Sequence, residues 1–313
     1  MSYRYHTADV FTTVQFGGNP LAVLPDAAGL DDEEMQSIAR EFNFSETVFV
    51  FPPENPAHTR KVRIFTPNGE LPFAGHPTVG TAYVLALTGE IELDGDETRI
   101  VLEEGVGPVP VLIRSRDGKP YFSQLTAAQA PRRIPQDYDP EIVAAAVSLT
   151  VDDLDIDGDF AIEAVSVGVP FLFVPLRSID SLRRARLHMT RWEETLGDLL
   201  APEIYLFTED ESSRARGGIR GGDGVVRARM FGPTINVTED SATGGACAAL
   251  GPYLAWRSER RDGLLRYAVH QGVEMGRPSL LEVETEISDG VVTAVRVGGA
   301  SVLVSSGTLH FPS

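Results

Sequence analysis

GELPFAGHPTVGTAYVLALTG, residues 69–89, places a histidine at the start of a helix and marks where that helix begins and ends. Proline suits the first helical position, where its missing N–H costs nothing, so Pro77 predicts the start. Gly89 suits the left-handed residue that closes a last turn. Val79, Ala82, Tyr83, Ala86 and Leu87 recur at helical spacing and predict one core-facing side. Gly75 and His76 then sit just ahead of unpaired backbone N–H groups, which attract an anion such as a carboxylate.

The surrounding chain has 313 residues and is 42% hydrophobic, enough for two ordinary domains with cores of their own. It has no run of about 18 apolar residues, so no membrane span is expected. The opening MSYRYHTADVF lacks the layout of a signal peptide, and a cytoplasmic chain is expected. Lys+Arg 27 against Asp+Glu 45 leaves a net charge of −18 in short, scattered acidic runs, which reads as solubility or, alternatively, as adaptation to high salt, and argues against nucleic acid as a partner. The only lysines, Lys61 and Lys119, lie in TRKVR and RDGKP, poor settings for a buried Schiff-base lysine. With Cys247 alone, no mechanism needing two thiols in one subunit is open to the chain, and a small buried role suits that residue.

Strand patterns appear at YRYHTADVF, ETVFVF, RKVRIFT, TRIVLEE and PVPVLIR, with a helix over residues 31–43 that has acidic residues in its first turn. Residues 115–140, SRDGKPYFSQ and then the Pro-rich APRRIPQDYDP, break the pattern and predict a linker. Beyond it come FAIEAVSVG, FLFVPL, EIYLFT and VVRARMF, a helical stretch from about residue 242, and a meander of LLRYAVHQG, SLLEVETEI, VVTAVRVGG and SVLVSS. This is an α+β pattern in two parts, 1–125 and 126–300, with a last strand at about 301–313 expected to cross back to the first part. GGIRGGDG at 217–224 precedes a strand instead of opening a helix after one, so it does not signal a dinucleotide site. An internal echo links FTP (65–67) before GHPTVGTA with FGP (231–233) before SATGGACA, an offset of 166 that sets Gly75 opposite Ser241. Duplication and a chance likeness of two glycine-rich helix starts both account for it.

Five ordered segments resemble the PhzF-like family, the phenazine-biosynthesis isomerases and their relatives: FGGNPLAV (16–23), NFSETVFV (43–50), FTPNGELPFAGHPTVGTA (65–82), EDSATGGACAALG (239–251) and QGVEMGRPSLLEV (271–283). The resemblance covers nearly the whole chain. It implies the diaminopimelate epimerase-like fold, with two pseudo-symmetric lobes that are each a curled, mostly antiparallel sheet or barrel around a central helix. The active site would lie between the lobes, with no cofactor and with homodimers as a possible assembly. By the same resemblance Glu46 shuttles a proton, while His76 and Asp240 bind and orient a small carboxylated substrate. Asn19, Ser45, Gly75, Gly244 and Gly245 are its expected substrate contacts. The chain departs from the family pattern at Gly245, where serine is usual, and at Pro252, inside the second helical stretch.

The residues also have readings of their own. Glu46, at the entry to an apolar strand, is either a surface residue or a carboxyl turned inward, where burial would raise its pKa toward the working pH of an acid/base. His76 is either a structural hydrogen-bonding residue or, at a positive helix end that disfavours the imidazolium, a neutral orienting group. Asp240 and Ser241 are suited to N-capping, Asn19 to a turn, and His270, Arg277 and Ser279 to structural roles. The histidines show no zinc-ligand spacing. The expected activity is a cofactor-independent isomerisation of a small carboxylate. A non-catalytic carboxylate-binding protein on the same fold, or a racemase or epimerase disfavoured by the single cysteine, are the alternatives.

Overall fold

The computed structural model describes residues 2–210, 223–235 and 237–311, so the glycine-rich run at 217–222 lies outside the described residues. The chain opens with β1 (Ser2–Val10), β2 (Asn19–Leu24), α1 (Asp32–Phe42), β3 (Glu46–Phe51), β4 (Arg60–Phe65) and β5 (Glu70–Leu71). α2 (Gly75–Leu87), β6 (Glu97–Glu104), β7 (Gly107–Arg116) and β8 (Lys119–Thr126) follow. Next come β9 (Arg132–Ile134), α3 (Pro140–Ala146), β10 (Glu163–Ser166), β11 (Pro170–Pro175), α4 (Ile179–Arg184), α5 (Met189–Thr195) and β12 (Ile204–Glu209). β13 (Asp223–Gly232), β14 (Val237–Asp240), α6 (Gly244–Ala255), β15 (Gly263–Gln271), β16 (Ser279–Ser288), β17 (Val291–Gly299) and β18 (Ser301–His310) complete the chain. Two units result: residues 1–128 with 297–313, and residues 129–296.

In the first unit β1 pairs antiparallel with β18 and with β2, β2 runs parallel to β3, and β3–β4 and β4–β5 are antiparallel. β4 runs parallel to β6, which continues antiparallel through β7 to β8. In the second unit the same sequence of pairings recurs. β10–β11 is antiparallel, β11–β12 parallel, β12–β13 and β13–β14 antiparallel, β13–β15 parallel and β15–β16 antiparallel. One ladder pattern used twice is a duplication of topology, and it settles the internal echo on the side of a repeat. The helix starts, however, are 244 − 75 = 169 residues apart, so α2's Gly75 matches Gly244 and not Ser241.

Each repeat wraps its sheet around one apolar helix. α2 touches β1, β2, β3, β7 and β8, and α6 touches β10, β11, β15 and β16. The expected one-sided α2 is corrected: every residue from Gly75 to Ala86 is buried, as a helix that is apolar all round requires. The start is corrected as well. Ala74 is the N-cap, which makes Pro77 the third helical residue and puts His76 inside the first turn rather than ahead of it. Outside the sheets lie amphipathic helices. Met35, Ile38 and Ala39 of α1 cover Leu24, Phe49 and Phe65, and Val143, Ala144, Leu182 and Trp192 cover Leu172, Val174, Ile204 and Leu206. Covered on both faces, β3 and β12 are buried almost throughout, as their continuous apolar sequences demand.

The expected linker at 115–140 is only partly a break. Asp117 (φ 52°) and Gly118 (φ 71°) form the two-residue turn of a β7–β8 hairpin, and the chain passes between units after Ala128.

Candidate active site

Three element starts meet in the first unit. β2 begins at Asn19, β3 begins at Glu46, and α2 begins one residue before His76; the parallel register Leu21↔Glu46 sets the first two side by side. The Ser45 hydroxyl donates to Asn19 Oδ1 at 2.9 Å, and Asn19 Nδ2 lies 3.3 Å from His76 Nδ1. His76 Nε2 in turn stands 3.3 Å from Glu46 Oε2. Asn19, Glu46 and His76 are 1%, 8% and 3% exposed, so the inward reading of Glu46 is the one realised. Asn19 opens a strand and does not serve as a turn residue.

Burial lowers the His76 pKa to about 3, against the smaller opposing effect of a hydrogen bond with the Pro20 carbonyl. The ring is neutral, with one proton for two nitrogens. If Nδ1 accepts from Asn19, the proton is on Nε2 and faces Glu46; if Nδ1 gives its proton to the Pro20 carbonyl, Nε2 turns a lone pair toward Glu46.

The second unit has its own helix mouth. Asp240 ends β14 and is 8% exposed, and α6 starts at Gly244 with Thr243 as N-cap. The expected capping by Asp240 and Ser241 is therefore corrected: they lie too far ahead of the first turn. Asp240 Oδ2 instead accepts from the Thr243 hydroxyl at 2.7 Å. Gln271, fully buried at the end of β15, ties this mouth together. Its Nε2 donates to the Asp240 carbonyl and to Thr243 Oγ1, both at 2.9 Å, and its Oε1 accepts from Tyr205 Oη at 3.1 Å. The next residue, Gly272 (φ 72°), passes so close that a Cβ there would meet the Ser241 carbonyl oxygen at 2.5 Å. Sequence reading missed Gln271 although it opens the fifth family-like segment; the one available signal was a buried-strand pattern that ends on a polar residue.

Cys247 is buried 3.1 Å from Tyr205 Oη, and burial pushes its thiol up to about 12. It is a poor nucleophile, in line with a small structural role. His270 is half-buried on β15 and Ser279 donates to the Arg277 carbonyl, which fits structural roles for both.

Capping separates these two helices from the rest. Side chains cap α1 (Asp31), α3 (Asp139), α4 (Ser178) and α5 (His188). α2 and α6 have no side-chain cap: Ala74 has nothing to offer, and Thr243 uses its hydroxyl on Asp240. Their first-turn N–H groups at Gly75 and His76, and at Gly244 and Gly245, are the type of donor that holds a carboxylate. Among the described residues no group of three or more His, Cys, Asp or Glu side chains is placed to hold a metal ion, and no helix is long and apolar enough to cross a membrane.

The family model of phenazine biosynthesis-like proteins (PhzC-PhzF) matches residues 8–307. The chain belongs to this family. Trans-2,3-dihydro-3-hydroxyanthranilate isomerase of Pseudomonas aeruginosa is 34% identical over 311 residues, covering 98% of this chain and 99% of that one. An uncharacterised isomerase of Mesorhizobium japonicum is 37% identical over 316 residues, 98% of each chain. The crystal structure of a PhzF-family phenazine biosynthesis protein from Bacillus anthracis has a TM-score of 0.85 at 25% identity, over 99% of this chain and 100% of that one. The chain is thus a PhzF-like isomerase with the α+β fold of that family.

Proposed function

We propose that this PhzF-like protein isomerises a small carboxylated metabolite without a cofactor, with Glu46 as the group that takes and returns the proton. The observation that carries the reading is the buried Glu46–His76 pair at an uncapped helix start. The step balances within the substrate. A C–H bond adjacent to a π-system breaks, its proton goes to a Glu46 oxygen, and the electron pair shifts along the π-system. A proton, exchangeable with solvent while it resides on Glu46, then leaves that oxygen to form a C–H bond at another carbon. Neutral His76 suits this exchange, because an imidazolium beside Glu46 would hold the carboxylate ionised and oppose protonation.

Asn19 and Ser45 set the His76 ring, and the Gly75 N–H contacts substrate. In the second unit we assign Asp240 to substrate binding and the Gly244 and Gly245 N–H groups to carboxylate contact, which the uncapped start of α6 supports.

The test is solvent hydrogen exchange in deuterium oxide over a panel of small carboxylic acids, headed by trans-2,3-dihydro-3-hydroxyanthranilate because the Pseudomonas aeruginosa relative is named for it. A substrate of the wild type should acquire deuterium at carbon. Glu46→Gln should slow exchange by about 10³-fold or more while ligand still binds, the scale of losing an acid/base group. Undiminished exchange in that variant would falsify the role of Glu46. Binding by the wild type with no exchange would point to a carboxylate-binding protein on this fold.

A further inference from the structure

Glu104, the last residue of β6, is 8% exposed, and none of the roles assigned above uses it. Its Oε1 lies 2.7 Å from Thr78 Oγ1 in the first turn of α2, and its buried Oε2 has no hydrogen-bond partner. Thr78 Oγ1 is also 2.8 Å from the Ala74 carbonyl, at the residue that precedes α2. A hydroxyl has one proton, so it cannot donate to both oxygens. The two contacts are satisfied together only when Glu104 is a carboxylic acid that donates to Thr78 Oγ1, leaving the hydroxyl proton for Ala74.

The charges around it support the neutral form. Glu104 borders a cavity of about 500 Å³ within the first unit, with Lys61 and Arg63 from β4, Glu70 from β5, and Glu54, His58 and Glu103 at its margin. Each basic side chain there is engaged elsewhere: Lys61 with Glu54, Arg63 with Asp32 and Glu70, and His58 with Glu103. No base is left to balance a Glu104 carboxylate. The turn after Glu104 holds the same stretch of chain, since the Val106 N–H donates to the Pro72 carbonyl at 3.1 Å.

We propose that Glu104 is a positioning residue: as a neutral acid it fixes Thr78 and, through Thr78, the Ala74 carbonyl, and so holds the first turn of α2 with His76 facing Glu46. The proposal rests on the proton-transfer reading for its kinetic consequences, and its structural part can be read without substrate. Burial pushes the Glu104 carboxyl up to about 8, so the relay is intact at neutral pH and fails in mild alkali. An acid with a raised pKa binds more protons folded than unfolded. The stability it contributes is complete below the ordinary carboxylate range and is lost as pH rises through about 8.

Glu104→Gln keeps a donor for Thr78 and cannot ionise, whereas Glu104→Ala and Thr78→Val break the relay. Wild-type kcat should fall above about pH 8, Glu104→Gln should retain the neutral-pH kcat without that fall, and the other two should lose about tenfold or more in kcat with KM little changed. Free of substrate, the imidazole nitrogen resonances of His76 should match the wild type in Glu104→Gln and shift in Glu104→Ala. An alkaline loss that persists unchanged in Glu104→Gln, or a Glu104→Ala enzyme with wild-type kcat and His76 resonances, overturns the proposal. Absence of exchange in the wild type itself would count against the role of Glu46, and the His76 resonances would still decide that of Glu104.

Discussion

At the scale of single residues, the repeat shows what makes the two halves chemically different. Phe65 pairs with Thr47 and Phe231 with Ile204, so Thr47 and Ile204 are counterparts and Glu46 corresponds to Glu203. Glu203 is buried too, and burial pushes its carboxyl up to about 8. The second residue of α2 is His76, and that of α6 is Gly245. One half thus joins a buried carboxyl to an imidazole, and the other has glycine where the imidazole would stand. Gly245 also has no hydroxyl to offer a ligand, and space is not the reason. A Cβ there would lie 3.5 Å from the Phe171 ring, an ordinary contact. Gly245→Ser should fold with stability unchanged or raised by up to about 1 kcal/mol, the gain from replacing a helical glycine. Its effect should fall on ligand affinity, which a titration alongside thermal unfolding would show. A clear drop in Tm would mean that the glycine is there for the fold.

The elements were legible to different degrees for physical reasons. β3 declares itself by a nearly continuous apolar run, and β4, β15 and β16 by apolar residues that alternate with polar ones. α1 does so through Asp31 and Glu34, which form a capping box. β8 was hidden: KPYFSQLT mixes polar and apolar residues and follows Asp117-Gly118, a hairpin signal that reads equally as the edge of a linker. The exact start of α2 was hidden as well, because Pro77 fits any place in the first turn and the true cap, Ala74, has no capping side chain. Glu46 and His76 could be picked out by resemblance, whereas Glu104 and Gln271 carry no local signal, since each matters only through partners distant in sequence. The fit of α2 inside its sheet is tight enough to test. A Cβ at Gly80 would come 2.5 Å from Val10 Cγ2 and 2.6 Å from Leu21 Cδ2, both on fully buried side chains. Gly80→Ala gains about 1 kcal/mol in helix propensity but meets an overpacking cost of about 1–3 kcal/mol. Urea unfolding should show a net loss of about 1 kcal/mol, and a variant as stable as wild type would show that β1 and β2 yield more readily than their packing indicates.

For the whole molecule, the path of the chain matters as much as the repeat. The first unit is completed only when the chain returns at Val297, because β18 pairs with the full length of β1 from Ser2↔His310 to Val10↔Ser301. Val10 in turn pairs with Asn19, the residue next to His76, so the last strand supports the candidate site through two ladder contacts. Phe311 and Leu309 also pack with Tyr3 near α1, the Tyr3 and Phe311 rings lying 5.6 Å apart edge to face. Removing residues 301–313 should therefore unpair Ser2–Tyr5, expose β1 as an open edge and uncover part of the α1 core. The loss should be on the order of 3 kcal/mol or more, since two large apolar side chains are removed from their packing. Thermal unfolding should then show an early transition for residues 1–128, limited proteolysis should cut there first, and residues 129–296 should resist. Adding the 301–313 peptide should restore protection if the ladder is what was lost. An unchanged single transition in the shortened chain would mean that β1 is held by β2 alone and that the returning strand has no part in supporting Asn19.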